Sequence, residues 1–309
     1  MRRFGAVVAV VAVVAAVAVL SGCTGGLPSG VDGDLTNGWP AMPAPKVAVP
    51  TVGVCYDKAA TNGVWCGDFV TQDCLRPHAV ETVFVGNFTG PDADRSNPPS
   101  IGGQARAAAY AQCRKGAVDY LGDDYHLGML RLTLVMSSPA AWAGGARWYR
   151  CDITRFTDAL ADTVDLGGGS VKDGPRGAHT MALTCYNDTA QDNQSVQEHA
   201  ITCDQPHNAE LAGLFTAPDI SWPSDEKARE DLAFKGCEPV VAGYLGFAGG
   251  HDNSTYLGYA ISFFDEGQWT LGDRTIRCSV IGLKNDSPNN VRFTGSVKGL
   301  RDRKPQGWM

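Results

Sequence analysis

The chain reads as an α+β protein made of two tandem homologous domains. Each is a mainly antiparallel sheet with one principal helix, stapled by disulfides. Three observations carry this reading. The stretch Cys74-Leu75-Arg76-Pro77-His78-Ala79-Val80-Glu81 recurs as Cys203-Asp204-Gln205-Pro206-His207-Asn208-Ala209-Glu210, both C-x-x-P-H-x-x-E. Self-similarity of this kind marks duplicated units. Eight cysteines fall into two sets in matching order, Cys55, Cys74, Cys113, Cys151 and Cys185, Cys203, Cys237, Cys278. Within each copy, short β-branched or alternating segments outnumber helical ones, the pattern of a sheet with a helix on one face.

The first 22 residues read as a signal peptide. Arg2 and Arg3 precede an apolar run from Ala6 to Leu20, and small residues follow. The run is short for a spanning helix. Leu20-Ser21-Gly22-Cys23 has the form of a bacterial lipobox, which predicts cleavage before Cys23 and lipidation of that residue; an uncleaved N-terminal anchor is the alternative. Arg2-Arg3 lacks the rest of a twin-arginine motif, so ordinary secretion is expected. Residues 23–46, rich in Gly, Pro and Asp, form a tether that would hold the body about 30 Å from the bilayer.

Copy one spans 47–173. Val52–Tyr56 is a short strand, and Asp57–Asp68 is a loop carrying Cys66. Glu81–Gly86 is a second strand, with Gln104–Leu121 helical on an Ala-rich stripe. Leu130, Leu132, Leu134 and Met136 alternate as a half-buried strand does. Trp142 lies in the next turn, Gly145–Cys151 opens another strand, and Gly169-Ser170-Val171-Lys172 closes the copy. Residues 174–180 form the linker. Copy two, 181–300, repeats this order. A helix starts near Ser224 and ends or kinks at Pro239. Gly272-x-Arg274-x-x-Arg277-Cys278 repeats Gly145-x-Arg147-x-x-Arg150-Cys151, and Gly295-Ser296-Val297-Lys298 repeats the closing tetrapeptide. Residues 301–309 are a tail.

Paired cysteines behind an export signal mean disulfides. Four cysteines allow three connectivities in each copy. First-to-second and third-to-fourth are expected, because those pairs span neighbouring elements. Zinc fits poorly, since no C-x-x-C pair occurs. Cys66 has no twin.

The lipobox, C-x-x-P-H-x-x-E, a helix cysteine, W-x-x-G-x-R-x-x-R-C and the closing G-S-V-K together resemble the septum formation domain family of actinobacterial envelope proteins. The resemblance covers both copies. It implies an extracytoplasmic protein linked to cell division or the envelope, and it supplies no catalytic residue.

The chain carries 26 Lys and Arg against 33 Asp and Glu, a net charge of −7; loss of Arg2 and Arg3 with the signal makes it −9. Such an acidic body has no electrostatic footprint for nucleic acid. It is also repelled by anionic lipid, which leaves attachment to the lipid on Cys23. His78 with Glu81, and His207 with Glu210, are the groups that could trade protons or hold a metal. A spacing of three places them on opposite faces of a strand, which favours a structural role. Arg147 and Arg274 share a face with apolar neighbours, and a buried arginine needs a carboxylate. Buried, they would form the pairs Arg147–Glu81 and Arg274–Glu210; both arginines reaching solvent at a strand end is the alternative.

No cofactor, metal or catalytic residue is expected. The reading that follows is a lipid-anchored binding or scaffold protein on the outer face of the cell membrane, with an envelope or division protein as partner. An envelope hydrolase using a His/Glu pair and a solute-binding lipoprotein are the alternatives. The latter would need recurring strand–helix units, and each copy offers one clear helix.

Overall fold

Two six-stranded sheets with the same strand order organise the body. The computed structural model describes residues 48–60, 70–158, 163–175, 181–191, 194–250, 254–263, 266–284, 287–288 and 291–309. The signal, Cys23, the tether, Cys66 and most of the linker lie outside the described residues. The first half contains β1 (Cys55–Tyr56), β2 (Thr71–Gln72), β3 (Val80–Asn87), α1 (Gln104–Leu121), β4 (Leu130–Met136), α2 (Pro139–Ala143), β5 (Trp148–Asp158) and β6 (Thr163–Val164). The second contains β7 (Cys185–Gln191), β8 (Gln194–Ile201), β9 (Ala209–Thr216), α3 (Glu226–Leu245), β10 (Leu257–Phe263), α4 (Glu266–Thr270), β11 (Thr275–Lys284) and β12 (Ser287–Pro288).

The sheets run β2-β1-β3-β5-β4 and β8-β7-β9-β11-β10, with β6 on β5 and β12 on β11, and every pairing is antiparallel. Because β3 and β4 are both antiparallel to β5, they run parallel to each other. Each long helix is thus a crossover between two parallel strands, and the next strand then slots between them. This split β-α-β unit explains why one helix covers one face of each sheet.

Local chemistry sets the ends of the helices. Gly122 and Gly246 follow α1 and α3 with φ of 77° and 86°, the left-handed conformation that stops a helix. Asp225, one residue after the expected Ser224, caps α3 through its bond from the Ala228 N–H (2.9 Å). Pro239 does not end α3, which continues to Leu245. Pro239 is exposed, on the solvent side of the helix.

Each half has its own core between helix and sheet. Val83, Tyr110, Cys113, Ala117, Leu121, Leu132, Leu134, Tyr149 and Cys151 are among the buried residues of the first. Cys237, Val241, Leu245, Trp269, Ile276, Cys278 and Phe293 are among those of the second. A third core belongs to both halves and joins Met129 and Phe156 to Leu183, Tyr186, Ala209 and Ile281. Backbone bonds cross the same seam, with Leu183 N donating to Leu127 O (2.8 Å). Residues 47–309 consequently form one compact body.

Four disulfides join Cys55–Cys74, Cys113–Cys151, Cys185–Cys203 and Cys237–Cys278. The expected pairing is the one observed. The second and fourth run through the cores and fasten each long helix to the central strand beneath it. Replacing Cys113 and Cys151 by alanine opens a loop of 38 residues and should lower the unfolding free energy by roughly 4 kcal/mol, measured by denaturant titration. A loss under 1 kcal/mol would show that this bridge is not what seats α1.

Candidate functional site

The repeated motifs meet in two matched knots. Glu81, nearly fully buried on β3, accepts hydrogen bonds from Tyr120 Oη (2.5 Å), Ser170 Oγ (2.7 Å) and Val171 N (2.7 Å). Glu210 accepts from Tyr244 Oη (2.5 Å), Ser296 Oγ (2.5 Å) and Val297 N (2.8 Å). The closing G-S-V-K tetrapeptide is therefore the counterpart of P-H-x-x-E: its hydroxyl and one N–H satisfy a carboxylate removed from water. Burial, helped by Glu81, pushes the Tyr120 phenol up to about 12. The same causes raise Tyr244 beside Glu210. In the adjoining loops, Gly169 N bonds Cys74 O and Gly295 N bonds Cys203 O, both at 2.6 Å.

The histidines of the motif are used elsewhere. His78 Nδ1 bonds Arg76 O (2.8 Å) and His207 Nδ1 bonds Gln205 O (2.7 Å), each inside its own turn. The buried His207 ring also packs on Phe293, 4.6 Å between centroids. The two sulfurs of Cys55 and Cys74 and a carboxylate oxygen of Glu81 lie within 4.8 Å of one another, as do those of Cys185, Cys203 and Glu210. In each group the sulfurs are bonded to each other, so neither is the thiolate a metal requires.

The expected pairs Arg147–Glu81 and Arg274–Glu210 are not formed. Strand parity chose a face but not a register. Glu81 lies opposite Ile153, six residues further along the chain than Arg147, which is roughly 20 Å at strand spacing. Glu210 lies opposite Val280, six beyond Arg274. Arg147 instead bonds the carbonyls of Ala93 (2.5 Å) and Trp142 (2.7 Å) and stacks on the Trp142 ring at 4.3 Å, while Trp142 Nε1 bonds Arg95 O (2.8 Å). Arg274 and Trp269 likewise both bond Ile220 O, and Arg274 adds Asp219 (2.5 Å). The W-x-x-G-x-R motif is thus a clamp on the connection from the third strand to the long helix. Within the two motifs, the deeply buried arginines are Arg150 and Arg277, the second of each. Arg150 pairs with Asp152 (3.0 Å) and covers the Tyr56 ring at 3.9 Å. Arg277 donates to the His126 and Gly128 carbonyls and lies 3.5 Å from Glu198.

The most concentrated polar chemistry lies at the seam, among residues that the repeat does not share. His126 is fully buried between two carboxylates, with Nδ1 2.5 Å from Asp124 and Nε2 3.0 Å from Asp273. Asp273 also accepts from Tyr125 Oη and from Tyr110 Oη (3.3 Å), and Arg114 lies 3.8 Å away. Burial alone would raise the Asp273 carboxyl; the bond and charge of His126, with Arg114 and Tyr125, hold it well below its ordinary value. Burial and Asp273 push the Tyr110 and Tyr125 phenols well above theirs. Beside this cluster is an open cavity of about 360 Å³ lined by Arg114, Lys115, Val118, Asp119, Asp124 and Tyr125 together with Ala111. Sequence reasoning missed this site. The available signal was departure from the repeat: Asp123-Asp124-Tyr125-His126 has no equivalent after Gly246, and Asp273 stands where copy one has Ala146.

Because Asp273 is depressed in the folded state, its stabilisation is complete above the unfolded aspartate range, about pH 4, and is lost as pH falls toward the folded value. Asp273→Asn should cost about 3–5 kcal/mol in denaturant titrations at neutral pH and flatten the acid limb of the stability curve. Asp219→Asn, at the exposed partner of Arg274, should cost less than about 1 kcal/mol. Equal losses in the two variants would remove the special role of the seam.

A family model described as Septum formation matches residues 52–278, which takes in the eight disulfide cysteines, the first knot and Asp273 with its donors; Ser296 and Val297 of the second knot lie beyond it. No curated protein and no solved structure matches the chain.

Proposed function

The chain belongs to the septum formation family, and from that premise we propose that it is a lipid-anchored scaffold of the actinobacterial cell envelope that binds a division or envelope protein. The family supports a role in cell division or the envelope, and four disulfides suit an oxidising compartment outside the cytoplasm. Among the described residues no helix is long and apolar enough to cross a membrane. The lipobox then supplies the attachment, through Cys23. Matching strand order, disulfides and carboxylate knots support reading 47–173 and 181–300 as tandem copies.

The observation that carries the binding role is the seam cavity. It is the place where residues outside the repeated pattern converge, and it presents apolar Val118 beside Arg114, Lys115, Asp119 and Asp124. Such a mixed, open surface suits a protein partner better than a buried small molecule. The hydrolase reading lacks a pair to work with, because His78 and Glu81 bond to different groups, as do His207 and Glu210.

Fluorescence microscopy of the tagged full chain tests the proposal. The wild type should concentrate at division septa, with Cys23 lipidated by mass spectrometry. Val118→Asp, at a half-exposed helix position, should keep the melting temperature but lose septal enrichment. Uniform envelope staining of the wild type would refute the division role. Septal enrichment of Val118→Asp would refute the cavity as the docking surface.

A further inference from the structure

We propose that the N-terminal end of α1 binds a small oxyanion of the phosphoryl class, with Arg106 as its charged ligand. Arg106, Tyr110 and Arg114 follow one another at intervals of four, so they lie along one face of the helix. Asp273 takes up the lower two, by the Tyr110 bond at 3.3 Å and the Arg114 approach at 3.8 Å. Arg106 is left over. It is only 5% exposed, and its Nε has no hydrogen-bond partner among the described residues. Burial lowers its pKa, and among the described residues no carboxylate acts in the opposite direction. A guanidinium removed from water without a counter-charge is destabilising, and an anion relieves it.

The surroundings supply the remaining donors. Arg106 is the third residue of α1, and long side chains on a helix lean toward its N-terminus. That end is uncapped: the residue before it is Gly103, which has no side-chain oxygen, and no acidic residue occurs in the first turn. Gly102, at φ 76°, gives a backbone that a ligand can approach closely. Helix N–H groups and the helix dipole there favour negative charge. On the other side, a Cβ on Gly102 would lie 3.7 Å from Thr270 Cγ2, so α4 forms a wall. The equivalent end of α3 is self-sufficient. Asp225 caps it, and Arg229 bonds the Pro223 and Ser224 carbonyls.

Inorganic phosphate titrated into the full chain at constant ionic strength tests this by calorimetry and melting temperature. The wild type should bind saturably and melt higher with phosphate than with chloride. Arg106→Gln should weaken binding about tenfold or more, whereas Arg95→Gln, at an exposed ion pair, should bind as the wild type does. Without phosphate, Arg106→Gln should melt no lower than the wild type, because it removes an unpaired buried charge. Displacement of phosphate by phosphatidylglycerol vesicles would assign the ligand to a lipid headgroup; retention would assign it to free phosphate. Absence of saturable binding, unchanged binding by Arg106→Gln, or a lower melting temperature of that variant without anion would each overturn the proposal.

Discussion

A buried carboxylate met by a tyrosine, a serine and a backbone N–H closes each half of this protein. Glu81 and Glu210 sit on the third strand of their halves, and the donors come from the long helix and the closing tetrapeptide. Three segments distant in sequence are drawn to one oxygen pair. The requirement is strict because an ionised carboxylate left without donors in the interior costs several kcal/mol. The neighbouring disulfide holds the start of the same turn, and the core disulfide holds the helix that presents the tyrosine. Conserving the geometry of that knot is a sufficient physical reason for both motifs, and no catalytic role need be assigned to their histidines.

The seam follows the same rule with different residues. Asp273 is buried where the two halves meet, and its side-chain donors Tyr110, Tyr125 and His126 come from the first half. The shared apolar core around Phe156, Leu183 and Ile281 adds non-directional burial. The Asp273 cluster adds direction, since each of its partners must arrive at one carboxylate.

Much of this was readable from the sequence. The helix α1 and the strand β4 follow from periodicity, which is local, whereas the disulfide pairing is one of three that each set of four cysteines allows and rests on which elements are neighbours. β8 escaped because Gln194–Ile201 is polar and largely lacks the alternation that marks a half-buried strand. The arginine–glutamate pairs failed because alternation fixes which side a residue faces, whereas register depends on the partner strand. The seam escaped for another reason. Reading two copies against each other draws attention to what they share, and Asp124, His126 and Asp273 are what they do not.

A double-mutant cycle of Glu81→Gln and Tyr120→Phe, followed by denaturant unfolding of the full chain, tests the knot most directly. With a buried, charge-assisted bond between them, the two losses should be non-additive by about 1.5–3 kcal/mol. Additive losses, with no coupling between Glu81 and Tyr120, would contradict the claim that this carboxylate holds the half together.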